Sequence, residues 1–304
     1  MPAATALSFR KSTNVRFNVR FAAARVMNGL LARLFPERAE RALRAAMLTP
    51  QRPKDGSTSD LVRTDNAARV PYGGRWLRVW SFGVGPTVLL AHGWSGHAAQ
   101  FDAWIEPLVS AGYRVVLFDA PAHGRSGGAE TNLVDMGGAV QHVAGLYGPV
   151  HAIVAHSFGA PATLFALQHG LSVDRLVLIA APPSLTKHSV FVAQALGFTP
   201  AIRGRMQRRV ERELEFRWDE AESDKALAAL AEERALDVLL VHDKRDREVP
   251  FASSERLAAA LPSARLIATE GSGHNRILRN SHVIAEAIRH LDRPAEALVV
   301  RNAA

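Results

Sequence analysis

The feature that most constrains this chain is a series of six short apolar runs separated by helix-like stretches. They are TVLLAHG (from Thr87), YRVVLFDA (from Tyr113), VHAIVAHS (from Val150), DRLVLIAA (from Asp174), DVLLVHD (from Asp237) and ARLIATE (from Ala264). None alternates between polar and apolar residues, so none suits a strand with one wet face. Continuous apolar runs fit strands buried on both sides, as in a parallel sheet covered by helices on both faces. Two more strands flank the turn Tyr72-Gly73-Gly74 within RVPYGGRWLRVWSFG, which reads as a hairpin. The expected fold is α/β, with about eight mostly parallel strands.

One interval breaks the rhythm. From Pro183 to about Arg234 the sequence is charged and helix-like, including IRGRMQRRVERELEFRW. It reads as a helical lid inserted at about 183–235. Its cluster Arg203, Arg205, Arg208 and Arg209 with Glu211, Glu213 and Glu215 reads as a solvated face. At the other end, residues 1–49 read as helix, with Val15, Val19, Val26, Leu30 and Leu34 recurring at helical intervals. The breaker-rich TPQRPKDGS (Thr49–Ser57) reads as a linker. The expected organisation is an N-terminal helical extension and linker over 1–54, then one domain over 55–304 that carries the lid.

Charge follows the same division. Residues 1–54 hold 11 Lys and Arg against 2 acidic residues, whereas the remainder holds 26 basic and 27 acidic ones. The formal net charge of +8 therefore belongs to the extension, and a basic nucleic-acid groove across the main domain is not expected. Arginines interleaved with apolar residues instead suggest peripheral contact with an anionic membrane. The competing reading is that the extension packs on the domain and stabilises it. Cysteine is absent, which excludes disulfides, thiolate metal sites and a cysteine nucleophile. No run of 18 apolar residues is present, and Arg25 and Arg33 interrupt the segment that a secretory signal would need. The expected location is the cytoplasm, with the membrane surface as a peripheral option.

The stretch AHSFGA (Ala155–Ala160) places Ser157 between a strand and a helix. A hydroxyl there can simply cap the helix. Small residues two before and two after it, Ala155 and Gly159, fit a tighter requirement, the nucleophile elbow. Ala155 departs from the strict Gly-x-Ser-x-Gly form by one methyl. In HGWSGH, the Gly93-Trp94 turn can aim a backbone N–H at a developing oxyanion, and the Phe158 N–H can supply a second donor. Asp246 follows one strand and precedes Val249-Pro250. His274 follows the last strand in GSGHN. Each of the three groups stands at a strand end, in the order Ser, Asp, His.

With these motifs, residues from about 60 to 293 resemble the α/β-hydrolase fold family. The resemblance rests on HGW (His92–Trp94), FDAPAHGRS (Phe118–Ser126), AHSFGA, HDKRDREVP (His242–Pro250) and GSGH (Gly271–His274), in that order. It implies Ser157 as nucleophile, His274 as base, Asp246 as orienting acid, and Trp94 and Phe158 as oxyanion donors. Asp243 rivals Asp246; the family pattern, counted back from Val249-Pro250, selects Asp246. Asp119 resembles the family's loop-ordering acid. His156, His92 and His97 read as structural, because a residue beside the nucleophile points away from it and no carboxylate completes a metal motif.

The implied reaction is hydrolysis of a carboxylic ester or thioester with an apolar acyl group, without cofactor or metal. Acyltransferase, amidase and carbon–carbon bond hydrolase activities would use the same groups. A catalytically silent binding module is the non-enzyme alternative, and it has no need of a complete triad.

Overall fold

The computed structural model describes residues 12–52 and 67–293. In chain order the first elements are helices α1 (Ser12–Leu34) and α2 (Pro36–Leu48) and strands β1 (Ala68–Tyr72), β2 (Arg75–Phe82) and β3 (Thr87–Ala91). Next come α3 (Asp102–Ser110), β4 (Arg114–Asp119), α4 (Leu133–Tyr147), β5 (Val150–His156), α5 (Gly159–Gln168) and β6 (Arg175–Ile179). The chain continues through α6 (Leu185–Leu196), α7 (Pro200–Leu214), α8 (Ser223–Glu233) and β7 (Asp237–Asp243). It closes with α9 (Ala252–Ala260), β8 (Arg265–Thr269), the single turn α10 (Gly273–Arg276) and α11 (Ser281–Leu291).

The eight strands form one sheet in the order β1-β2-β4-β3-β5-β6-β7-β8. The hairpin strands pair antiparallel, β1 with β2 and β2 with β4; every other pairing is parallel. The six apolar runs of the sequence are the six parallel strands. Side chains alternate across them. Val88, Leu90, Val115, Leu117, Val154, Ile179 and Val241 share a core with Trp104 and Leu108 of α3 and Val283 and Ile284 of α11. Their neighbours Leu89, Val116, Ile153, Leu178 and Leu240 are equally buried and face the side of α4, α5 and α9. Each fully buried aliphatic side chain contributes about 1.5–3 kcal/mol. Trp104, enclosed in the first core, donates its indole N–H to the Leu278 carbonyl at 2.8 Å.

β3 lies between β4 and β5, so the chain leaves it towards one side and returns on the other. Such a reversal opens a crevice at the strands' carboxyl ends. His92–Trp94 and Ser157 follow the two strands that flank it.

Contacts divide the chain into two compact units. One joins the N-terminal helices, through Met47, with Thr186–Glu215; the other joins Leu48–Leu185 with the chain from Phe216 onward. The lid helices α6 and α7 thus share a unit with the N-terminal helices, while α8 belongs with the sheet. Local sequence starts α7: the Thr199 hydroxyl accepts from the Ile202 N–H, and Pro200 occupies the first turn. Ile202, Met206 and Val210 then recur every fourth residue and are buried. Across the unit, Glu40 of α2 receives Arg205 at 3.1 Å and Arg209 at 3.5 Å. Arg44 and Arg209 both reach Glu213, at 3.1 and 2.9 Å. Three of the seven residues of the charged lid cluster, Arg205, Arg209 and Glu213, therefore tie the lid to the N-terminal helices. Asn28 of α1 adds a bond from its side-chain amide to the Leu196 carbonyl, 2.8 Å.

Candidate active site

Ser157 stands at the turn between β5 and α5 with a φ of 50°. An L side chain in this left-handed region costs about 1–2 kcal/mol. The turn is secured by the Ser157 N–H on the Ile179 carbonyl (2.8 Å) and by the Ala160 N–H on the Ser157 carbonyl (2.9 Å). The small residues have a steric cause. A Cβ at Gly159 would stand 2.4 Å from the Ala91 carbonyl oxygen, and one at Gly93 would stand 2.7 Å from the Ser157 Cβ. Both approaches are below any contact that real Cβ atoms make. Ala155 is fully buried, paired with Ala91 on one side and Leu178 on the other.

From Ser157 a chain of hydrogen bonds runs inward. Its Oγ lies 3.0 Å from His274 Nε2, and His274 Nδ1 lies 2.7 Å from Asp246 Oδ2. With a carboxylate at Nδ1, the ring carries its proton there, leaving Nε2 to accept from the serine hydroxyl. Asp246 Oδ1 accepts the N–H groups of Glu248 (2.8 Å) and Val249 (3.0 Å). Burial raises this carboxyl, but hydrogen bonds from His242, His274, Val249 and Glu248 outweigh it and hold the group below the usual carboxylate range. The Glu248 carboxylate reaches within 3.8 Å of His274 Nε2 from the solvent side.

The rival acid has different partners. Asp243 accepts from Arg245 N–H (2.9 Å) and the Thr269 hydroxyl (2.8 Å). It also accepts from the Gly271 and Ser272 N–H groups, at 3.3 and 2.8 Å. Burial raises its pKa, but hydrogen bonds from Thr269, Arg245, Ser272 and Gly273 outweigh this and lower it to about 2. Asp243 thereby joins the loop after β7 to the loop after β8, and so helps place both Asp246 and His274.

Three further histidines brace the site as neutral rings. His156 donates from Nε2 to the His274 carbonyl, 2.9 Å away. His92 donates to the Gly93 carbonyl (2.8 Å) and accepts from the Ala120 N–H (2.9 Å). His123 contacts the Pro121 carbonyl (2.8 Å) and accepts from the Ser95 N–H (3.0 Å). Burial is the main cause that lowers their pKa values, to about 3 for His156 and His123 and about 4 for His92. Asp119 completes the bracing, accepting from the Ala98 and Arg125 N–H groups at 2.8 and 2.7 Å.

His242, in the sequence only the first residue of HDKRDREVP, has a role that the motif does not assign. Fully buried, it lies 3.0 Å from the Val249 carbonyl and 3.4 Å from Asp246 Oδ2, both through Nε2. Two acceptors fix the proton on Nε2, so Ser254 donates to Nδ1 at 2.7 Å. The available signal was a lone imidazole inside the otherwise apolar VLLVH of β7.

Trp94 lies in the turn after β3 and Phe158 follows Ser157 in the turn after β5, and their rings meet edge to face at 5.5 Å. Among the described residues neither backbone N–H has a hydrogen-bond acceptor. Also among the described residues, no group of three or more His, Asp or Glu side chains is placed to hold a metal ion.

A serine on a strained strand-to-helix turn, over a mostly parallel sheet, defines a class of hydrolases. The profile of the alpha/beta hydrolase family matches residues 88–287. This chain belongs to that family and is a hydrolase. It is similar to the pimeloyl-[acyl-carrier protein] methyl ester esterase of Xanthomonas campestris pv. campestris, 28% identical over 245 residues, covering 68% of this chain and 94% of that protein. The protein of the same name from Aeromonas hydrophila subsp. hydrophila is 25% identical over 250 residues, covering 70% of this chain and 98% of its own length. Among solved structures, a hydrolase from Pseudomonas aeruginosa PA01 shares the fold with a TM-score of 0.57 and 19% identity, over 76% of this chain and 100% of that one.

Proposed function

We propose that the enzyme hydrolyses carboxylic esters or thioesters through a Ser157–His274–Asp246 triad and an acyl-enzyme. The observation that carries the proposal is the continuous path from Ser157 Oγ to His274 Nε2 and from Nδ1 to Asp246 Oδ2, at 3.0 and 2.7 Å. The ester substrate is supported by the similarity to two methyl ester esterases that align over nearly their whole lengths.

In this mechanism His274 Nε2 takes the Ser157 proton as Oγ attacks the carbonyl carbon. The carbonyl oxygen becomes an oxyanion, which the Trp94 and Phe158 N–H groups stabilise. Asp246 keeps the imidazole in the tautomer that can accept, and it stabilises the imidazolium once formed. The imidazolium then protonates the leaving alcohol or thiol, and the Ser157 ester remains. Water, deprotonated by His274, attacks that ester and releases the acid.

Ser157→Ala tests the reading. Assayed on esters and thioesters of graded acyl length, the folded variant is expected to lose at least about 10³-fold in turnover. Turnover near wild type in a folded variant would exclude Ser157 as nucleophile.

A further inference from the structure

α1 is turned the opposite way from an ordinary helix at a protein surface. At about 100° per residue, Val26, Leu30, Leu34 and Met27 fall within about 100° of the helix circumference, a typical apolar stripe. A stripe of this kind normally faces a core. Here the four side chains are 73, 52, 61 and 65% exposed, and Phe35 beyond the helix end is 50% exposed. The side that docks carries Asn28, Gly29, Leu31 and Ala32, all half-buried: Asn28 bonds the Leu196 carbonyl, and a Cβ on Gly197 would stand 2.6 Å from the Arg25 carbonyl oxygen. On α6, in the same unit, Phe191 is 62% exposed as well. The apolar face of α1 is thus left free by the packing that holds the helix.

Charge identifies what would cover this face. Arg25 and Arg33 on α1 and Arg38 and Arg41 on α2 are exposed, against one exposed acid, Glu37. Arg38 holds its guanidinium 5.1 Å from the centre of the Phe35 ring. Residues 1–54 as a whole carry 11 basic and 2 acidic side chains. Apolar side chains bordered by arginines match a membrane surface, whose acyl boundary takes the one and whose anionic headgroups take the other. Among the described residues no helix is long and apolar enough to cross a membrane, so the face would lie on the bilayer.

We propose that the exposed face of α1, with Arg33 and Arg38 at its border, binds the enzyme peripherally to anionic lipid. The test is co-sedimentation of the full chain with vesicles of phosphatidylglycerol and phosphatidylcholine, and with vesicles of phosphatidylcholine alone. Binding is expected only to the anionic vesicles. It should weaken between 0.1 and 1 M salt, as the screening length falls from about 10 Å to about 3 Å. The double variant Leu30→Glu, Leu34→Glu should bind at least about tenfold more weakly, having lost two inserting side chains and gained two repelled charges. Arg33→Glu with Arg38→Glu should weaken binding and flatten its salt dependence. Because these side chains are exposed, both double variants should keep the wild-type melting temperature and turnover of a small soluble ester.

Wild-type protein that ignores anionic vesicles at low salt would overturn the proposal. So would undiminished binding by the Leu30→Glu, Leu34→Glu variant. If that variant instead dissociates a dimer seen by light scattering, while neither protein binds vesicles, the face belongs to a second copy of the chain and the lipid assignment is wrong.

Discussion

In the sheet-bearing unit His274, Asp246 and the groups that brace them are buried, and most are fixed by bonds to loop backbone. Asp243 accepts three such bonds and a fourth from the Thr269 hydroxyl, Asp246 accepts two, His92 and His123 stay neutral to accept theirs, and His156 donates to the His274 carbonyl. In the helical unit the corresponding ties are arginines left 27–45% exposed, gathered on Glu40 and Glu213, while apolar side chains of α1 stand outside. Buried bonds to backbone hold atoms in one geometry, which proton transfer requires. Half-exposed ion pairs contribute little and depend on salt, which suffices for a surface that must only present a face.

The largest effect expected from this difference lies in the acid loop. Asp246→Asn should lower kcat by about 10⁴-fold, because the amide cannot hold the imidazole in its accepting tautomer. Asp243→Asn should act chiefly on stability, lowering the melting temperature while the folded fraction keeps turning over. Rates and melting curves for both variants check this; a reversed ranking would move the orienting role to Asp243. Removing the donor behind Asp246 with His242→Leu should cost about tenfold in kcat with little change in KM, the size of one hydrogen bond to a charged group. His242→Gln, which restores an N–H, should recover most of the loss.

Much of the sheet unit was legible because its signals are local. Six unbroken apolar runs specify buried parallel strands, and small residues around Ser157 specify a turn too tight for side chains. Asp246 was selected by its distance from Val249-Pro250, and it is the carboxylate next to His274 Nδ1. What stayed hidden depends on residues far apart in sequence. Nothing near His156 announces a bond to the carbonyl of His274, 118 positions away. Nothing in α2 announces that Glu40 will gather arginines from the lid, 165 positions on. From sequence, therefore, His156 reads only as structural, the lid arginines read as a solvated face, and the N-terminal helices read as separate from the lid.

Acid sharpens the contrast at an intermediate scale. His92, His123 and His156 have folded-state pKa values of about 4, 3 and 3, below the usual value. The unfolded chain therefore binds protons that the fold refuses. Their stabilising effect is complete above pH about 6.5 and is lost as pH falls towards those values, by up to about 1.4 kcal/mol per pH unit for each ring. Denaturant melts at stepped pH should show stability falling from pH 6.5 downward, before most carboxylates titrate. A flat profile down to pH 4 would contradict the neutral rings.

The smallest effect belongs to the helical unit. Glu40→Gln removes the shared charge of Arg205 and Arg209 and should cost about 1 kcal/mol or less, with greater loss at low salt than at high salt. Turnover of a small soluble ester should not change. A large loss of turnover would mean that the helical unit shapes the chemistry, and the division of labour between the units would fail.

The most direct test of the central claim is to react the native protein with a fluorophosphonate and locate the adduct by peptide mass mapping. The account predicts one modified residue, Ser157, with labelling that collapses in His274→Gln and survives in Leu30→Glu, Leu34→Glu. An adduct on another serine, or unchanged labelling of His274→Gln, would contradict it.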